Sequence, residues 1–219
     1  ASVRKLFFQA LVVLAPTQLA LHLWPDWSLV FGLRVDYLSI AIYLTDIFLV
    51  FYLLTSPFPF KKKNLTTKKV LLIVFFLSLV LVNTVTAISP AAAFFKWVKV
   101  VEFSLLALFV AKDPSFRVDS WLVKPLFWAL PFYVFIGIVE FLKNETLGGI
   151  LYYFGERTFR LGDPGIATTN LLGAEKLRAY STFSHPNSFG AYLVAVLPLA
   201  SFLKKRGHLG YVILRSFAS

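Results

Sequence analysis

Near its carboxyl end the chain reads LRAYSTFSHPNSFGAYL, from Leu177 to Leu193. This run sets an arginine, three hydroxyls (Ser181, Thr182 and Ser184), a histidine and an Asn-Ser pair ahead of an apolar stretch. Pro186 restricts His185 to extended geometry, so Asn187 or Ser188 is placed to cap a helix that starts there. A helix start leaves N–H groups unpaired and carries partial positive charge, which suits an anion. Arg178 lies just upstream and can make two parallel bonds to a phosphate. Arg178, Ser184, Asn187 and Ser188 therefore compose a candidate diphosphate cradle. Arg157 and Arg160 can serve the same anion, and His185 is a candidate base. The plainer readings are an ordinary cap signal, a capping or packing histidine, and solvated arginines.

The elements that must position these groups follow from composition. The 219 residues are 58% hydrophobic, 17% aromatic and 15% charged, with mean hydropathy +0.74. Soluble domains carry about 25% charged residues, so this chain lacks the polar surface to cover a globule. Its long apolar runs predict an all-α, polytopic integral membrane protein forming a single membrane domain over 1–219. Cysteine is absent, which excludes disulfides, thiolate metal sites and cysteine nucleophiles. Methionine is absent too and the chain starts at Ala1, which fits removal of an initiator or a piece of a longer protein.

Six spans are expected at about 6–24, 38–56, 70–88, 94–111, 125–142 and 188–203, with a seventh beginning near Gly210. Each of the six holds roughly 16 to 20 mostly apolar residues, enough for about 30 Å of hydrocarbon. The net charge of +11 sits in short loops. Four basic groups (Arg4 and Lys5; Lys61–Lys63 with Lys68 and Lys69; Lys112, Arg117 and Lys124; Lys204, Lys205 and Arg206) share one face if every span crosses once. That places the amino terminus in the cytoplasm and residues 143–187 outside. The same account replaces nucleic acid as the reason for the charge.

The connection 143–187, about 45 residues long, is rich in Gly, aromatics and mixed charge, and loops of that length are usually functional or disordered. Its Asn144-Glu145-Thr146 matches a glycosylation acceptor, a match that arises readily by chance. Within the expected spans Asp46, Lys96, Lys99 and Glu102 lie at or above mid-depth and His22 and Glu140 near the outer ends. Together they suggest a polar chamber opening outward, with Lys96 and Lys99 as further substrate-binding candidates. Each taken alone is equally a snorkelling or structural side chain.

The run from Arg178 to Asn187 resembles the Arg-x-x-(Gly/Ser)-Thr-Phe-x-x-Pro-Asn signature of the O-antigen ligase and O-antigen polymerase superfamily. Asp36-Tyr37-Leu38-Ser39 and Tyr43-Leu44-Thr45-Asp46 also resemble bacterial members. The resemblance implies a metal-independent, inverting glycosyltransferase without a cofactor. Such an enzyme takes a glycan from a polyprenyl diphosphate carrier in the outer leaflet of the cytoplasmic membrane. It passes the glycan to a lipid or glycan acceptor, in cell-surface polysaccharide synthesis, with Arg178 binding the diphosphate. Family members have about twelve spans and a second outer loop that supplies the catalytic His. The resemblance therefore implies that this chain is the N-terminal half of a longer protein, with the base beyond residue 219 and no activity by itself. The alternatives are a transporter or lipid-linked glycan flippase, and a non-catalytic membrane scaffold.

Overall fold

The computed structural model of the chain describes residues 2–58 and 66–205. In chain order the elements are α1 (Ser2–Leu14), β1 (Ala20–Leu23), β2 (Leu29–Val30), β3 (Leu33–Arg34), β4 (Ile40–Tyr43), α2 (Leu44–Thr55), α3 (Thr67–Thr86), α4 (Pro90–Lys112), α5 (Lys124–Lys143), β5 (Thr168–Leu171), β6 (Ala174–Leu177) and α6 (Pro186–Lys205). A turn of π-helix, Val118–Val123, runs directly into α5. The strands pair as β1 with β4, β2 with β3, and β5 with β6.

Helices form where the apolar runs lie, but the expected six to seven spans are not supported. Among the described residues one helical stretch, Val118–Lys143, is long and apolar enough to cross a membrane, with 26 residues and mean hydropathy 1.9. Leu44–Thr55, Val70–Thr86 and Pro186–Leu199 are apolar but shorter, between 10 and 17 residues. The 12 residues of α2 rise only about 18 Å against about 30 Å of hydrocarbon. The first expected span breaks at Pro16, because α1 has ended at Leu14 and the chain turns into β1. α4 has the length, at 23 residues, but carries Lys96, Lys99 and Glu102 within it. The small sheets correct the all-α expectation as well. Gly210, Lys61, Lys62, Lys63 and Arg206 lie outside the described residues.

The chain packs as two compact units, and the division falls within α2. One comprises Ala1–Leu19, Tyr43–Leu49 and Arg117–Ser219; the other comprises Ala20–Ile42 and Val50–Phe116. In the first unit α1 and the π turn meet where Gln9 Nε2 donates to the Ser120 carbonyl at 2.9 Å. Farther along, the Tyr133 hydroxyl of α5 donates to the Val13 carbonyl. Ala129 and Tyr133 of α5 pack with Phe183 and Phe189 into a buried aromatic cluster joining α5 to α6. Burial of a Phe side chain contributes about 1.5–3 kcal/mol, so this cluster is what sets α6 against α5.

The loop after α5 is ordered. Residues Gly149–Phe154 form a 3-10 turn, and Gly155 follows in the left-handed region at φ +93°. Thr17 donates through its hydroxyl to the Phe154 carbonyl at 2.9 Å, drawing the two backbones together. A Cβ added at Gly155 would stand 2.1 Å from Thr17 Oγ1 and 2.4 Å from the Gln18 amide nitrogen. Gly155→Ala must therefore move backbone and adopt a positive φ. The expected cost is about 2–5 kcal/mol, from overpacking of 1–3 and left-handed backbone of 1–2. Thermal melting of the purified protein checks it; an unchanged melting temperature would contradict the close approach.

The second unit holds α3 against α4. Trp97 Nε1 donates to Asn83 Oδ1 at 3.0 Å, and the Trp97 ring meets Phe76 edge-on at 5.6 Å. Most of α3 is nevertheless uncovered: Leu71, Leu72, Leu81, Val82 and Val85 are each at least 60% exposed. At 100° per residue these positions cover one half of the helix, and Ile73, Phe76 and Leu77, also exposed, lie on the other, so no polar face is left for water.

Candidate functional site

The Arg178 region is built by α5, the loop that follows it, and the start of α6. Glu140, in the last turn of α5, is fully buried. Its Oε2 accepts the Tyr180 N–H at 2.9 Å and the Ser181 N–H at 2.6 Å. Two consecutive amides converging on one oxygen form a backbone concavity of the kind that binds anions, filled here by the protein's own carboxylate. Ser181 turns the chain at φ +55°, and Ser181, Thr182 and Phe183 are buried beneath.

Two further side chains tie the loop to α5. Asn144 ends the helix in left-handed geometry at φ +59°, where Asn is among the few tolerant residues. Its Oδ1 accepts the Leu177 N–H at 3.2 Å. Asn144 thus has a structural task independent of the glycosylation match. Glu156, buried, accepts the Leu147 N–H on Oε1 and the Gly148 N–H on Oε2, each at 2.7 Å. The hairpin β5–β6 then delivers Leu177 and Arg178 to the start of α6. Its two-residue connection is Leu172-Gly173, both with positive φ. That is the geometry of the hairpin turn whose twist matches the strands. The Arg178 N–H donates to the Ala167 carbonyl at 3.1 Å.

At the head of α6 the sequence expectation needs one correction. His185, not Asn187 or Ser188, is the cap: its carbonyl accepts from Ser188 and Phe189, and its Nδ1 accepts the Asn187 N–H at 3.1 Å. That pattern is a helix N-cap. It assigns the ring proton to Nε2, so His185 stands as a cap with its acceptor nitrogen occupied. The amides of Asn187, Ser188 and Phe189 are thereby already bonded, and the cradle loses those donors.

What remains is a side-chain site. Arg178 Nη2 donates to Asn187 Oδ1 at 2.9 Å, which brings the guanidinium to the first turn of α6. Ser184, His185, Asn187 and Ser188 are all exposed around it. A guanidinium has five N–H donors, and the bond to Asn187 uses one, so the plane is held while further donors stay available to an anion. Arg160 is otherwise engaged, 3.5 Å from Glu145, and Glu145 also pairs with Lys143 at 3.2 Å. Arg157 is exposed on the same loop.

Lys96 and Lys99 belong to the other unit. There Lys99 Nζ lies 3.2 Å from Glu102 Oε2 and 5.6 Å from the centre of the Phe95 ring, while Lys96 is exposed. Asp46 is in the first unit, three positions after Tyr43, whose N–H it accepts at 2.8 Å. This is the reach-back half of a capping box at the start of α2. Asp46 therefore has a local structural task, apart from the expected chamber. Among the described residues no group of three His, Asp or Glu side chains could hold a metal ion.

Sequence reasoning marked Glu140 only as a polar residue near a helix end and passed over Glu156 entirely. The available signal for Glu140 was a lone carboxylate in an apolar helix next to a long loop, where an ionisable group must find partners. No known protein family, curated protein or solved structure matches the chain.

Proposed function

We propose that this chain carries the donor-diphosphate site of a membrane glycosyltransferase of the O-antigen ligase and polymerase type. The observation that supports it most is the Arg178 guanidinium fixed by Asn187 at the exposed first turn of α6. In this reading α5 crosses the cytoplasmic membrane. The basic residues Lys112, Arg117 and Lys124 before it lie inside, and the loop carrying Arg178 lies outside. The uncovered apolar surface of α3 fits lipid as its surroundings.

An acceptor hydroxyl, passing its proton to a general base outside the Arg178 site, attacks the anomeric carbon of the donor sugar with inversion. The carbon–oxygen bond to the diphosphate breaks, and polyprenyl diphosphate leaves with the bonding electrons. Arg178 meets the charge that develops on that leaving group, the place where a fixed cation contributes most. Ser184, Asn187 and Ser188 add exposed polar groups beside it. His185, as the α6 cap, orients this turn.

Two experiments test the reading. The absence of native cysteine makes single-cysteine labelling clean: Arg117→Cys and Thr158→Cys should react from opposite sides of an intact cell. Labelling from the same side would remove α5 as a span. With the full-length protein in vesicles, release of polyprenyl diphosphate should require both a polyprenyl-diphosphate glycan and a hydroxyl acceptor. Release no greater than in vesicles lacking the protein would count against the assignment.

A further inference from the structure

Away from the Arg178 site, in the same unit, α1 and the head of α5 enclose an open groove of about 610 Å³. Gln9 and Ser120, joined by a hydrogen bond from the Gln9 amide to the Ser120 carbonyl, are among its lining residues. Two lysines line it, Lys5 from α1 and Lys124 from the first residue of α5, together with Leu6, Val13 and Trp128. Leu6 is 63% and Trp128 57% exposed, both large apolar surfaces facing an unfilled channel. Other charges nearby have separate tasks. Arg4 stacks 6.0 Å from the Trp121 ring, and Asp119 turns its Oδ1 to the Ser120 N–H at 2.9 Å. Lys5 and Lys124 thus bring two positive charges to a groove whose remaining walls are largely apolar.

We propose that this groove binds an anionic phospholipid, with its phosphate between Lys5 and Lys124 and an acyl chain along Leu6, Val13 and Trp128. Charge complementarity selects this occupant. A phosphodiester placed between the two lysines gives them a shared counter-charge, whereas an apolar peptide would leave both without one. In the membrane reading Lys124 begins α5 on the cytoplasmic side and Lys5 lines the same groove, so both stand where anionic headgroups attract basic residues. The inference rests on the membrane reading but not on the donor site, since α5 rises about 30 Å over its 20 residues and Glu140 lies near its far end.

The test is native mass spectrometry of the full-length protein in mild detergent, titrated with phosphatidylglycerol, phosphatidylcholine or glycerol 3-phosphate. Phosphatidylglycerol should bind more tightly than phosphatidylcholine, and glycerol 3-phosphate should not compete. Lys5→Gln with Lys124→Gln should weaken phosphatidylglycerol about 30-fold, at the usual contribution of a basic residue near an anionic headgroup. Lys124 is exposed and Lys5 half-buried, and Gln keeps most of each side chain's length, so the variant should melt close to the parent; Trp128→Ala, which keeps the lysines, should weaken the lipid about tenfold. Equal affinity for the two lipids, competition by glycerol 3-phosphate, or wild-type affinity in the double variant would each overturn the proposal. Arg178→Ala should retain the lipid, so failure here and failure of the donor site are read separately.

Discussion

Arg178→Ala is expected to lower glycan transfer by at least about 30-fold at equal expression, because the bound diphosphate would shield its pair with Arg178 from water and removing one partner of such a pair costs about 2 kcal/mol or more. The folded protein should survive the change. Arg178 bonds outward to Asn187 in an exposed setting, and its removal leaves the buried carboxylate of Glu140 with both amide partners. Arg178→Lys is expected to be impaired as well. It keeps the charge but loses the planar fork that holds Asn187 and meets an anion together. Lys112→Ala removes a basic residue from the last turn of α4 and is expected to leave transfer unchanged. Transfer assays in membranes check all three, and wild-type transfer by Arg178→Ala would end the donor-site assignment.

Glu140→Ala is expected to give the largest loss of stability, about 2–6 kcal/mol. It strands the Tyr180 and Ser181 N–H groups in a buried place, at about 1–3 kcal/mol for each unsatisfied donor. Glu140→Gln should be much milder. One oxygen suffices for both amides, and the carboxyl of Glu156 lies beside Glu140 as an acceptor for an amide nitrogen placed there. Thermal melting orders the parent, Gln and Ala proteins. Equal melting of the parent and Glu140→Ala would show that the carboxylate does not hold the loop. Because the loop carries Arg178, transfer by Glu140→Ala should fall even at temperatures where the protein stays folded.

The helices were legible because long apolar runs must satisfy their own backbone: α5 at Lys124–Lys143 and α6 at Pro186–Lys205 lie close to the expected 125–142 and 188–203. Their number as membrane spans was not legible from hydropathy. A run such as 6–24 averages over Pro16, where the helix has already stopped, and 38–56 averages over the strand β4. Placement of Arg178 beside α6 followed from Pro186 and the polar residues before it. The cap could not be chosen from sequence, since His, Asn and Ser all accept hydrogen bonds and only the turn geometry picks His185. The hairpin β5–β6 was missed for a chemical reason. Its turn, Leu172-Gly173, puts a leucine at φ +54°, a conformation that ordinarily favours Gly, Asn or Asp.

The central claim is that Arg178 holds a diphosphate, and donor capture measures it without depending on the later chemistry. Full-length protein in membranes is exposed to a photoreactive polyprenyl-diphosphate glycan, irradiated and digested. Crosslinks are expected on peptides spanning Arg178 to Ser188, competed by unlabelled polyprenyl diphosphate and reduced at least about 30-fold in Arg178→Ala. Crosslinking at this segment that is undiminished in Arg178→Ala, or confined to other parts of the protein, would contradict the assignment.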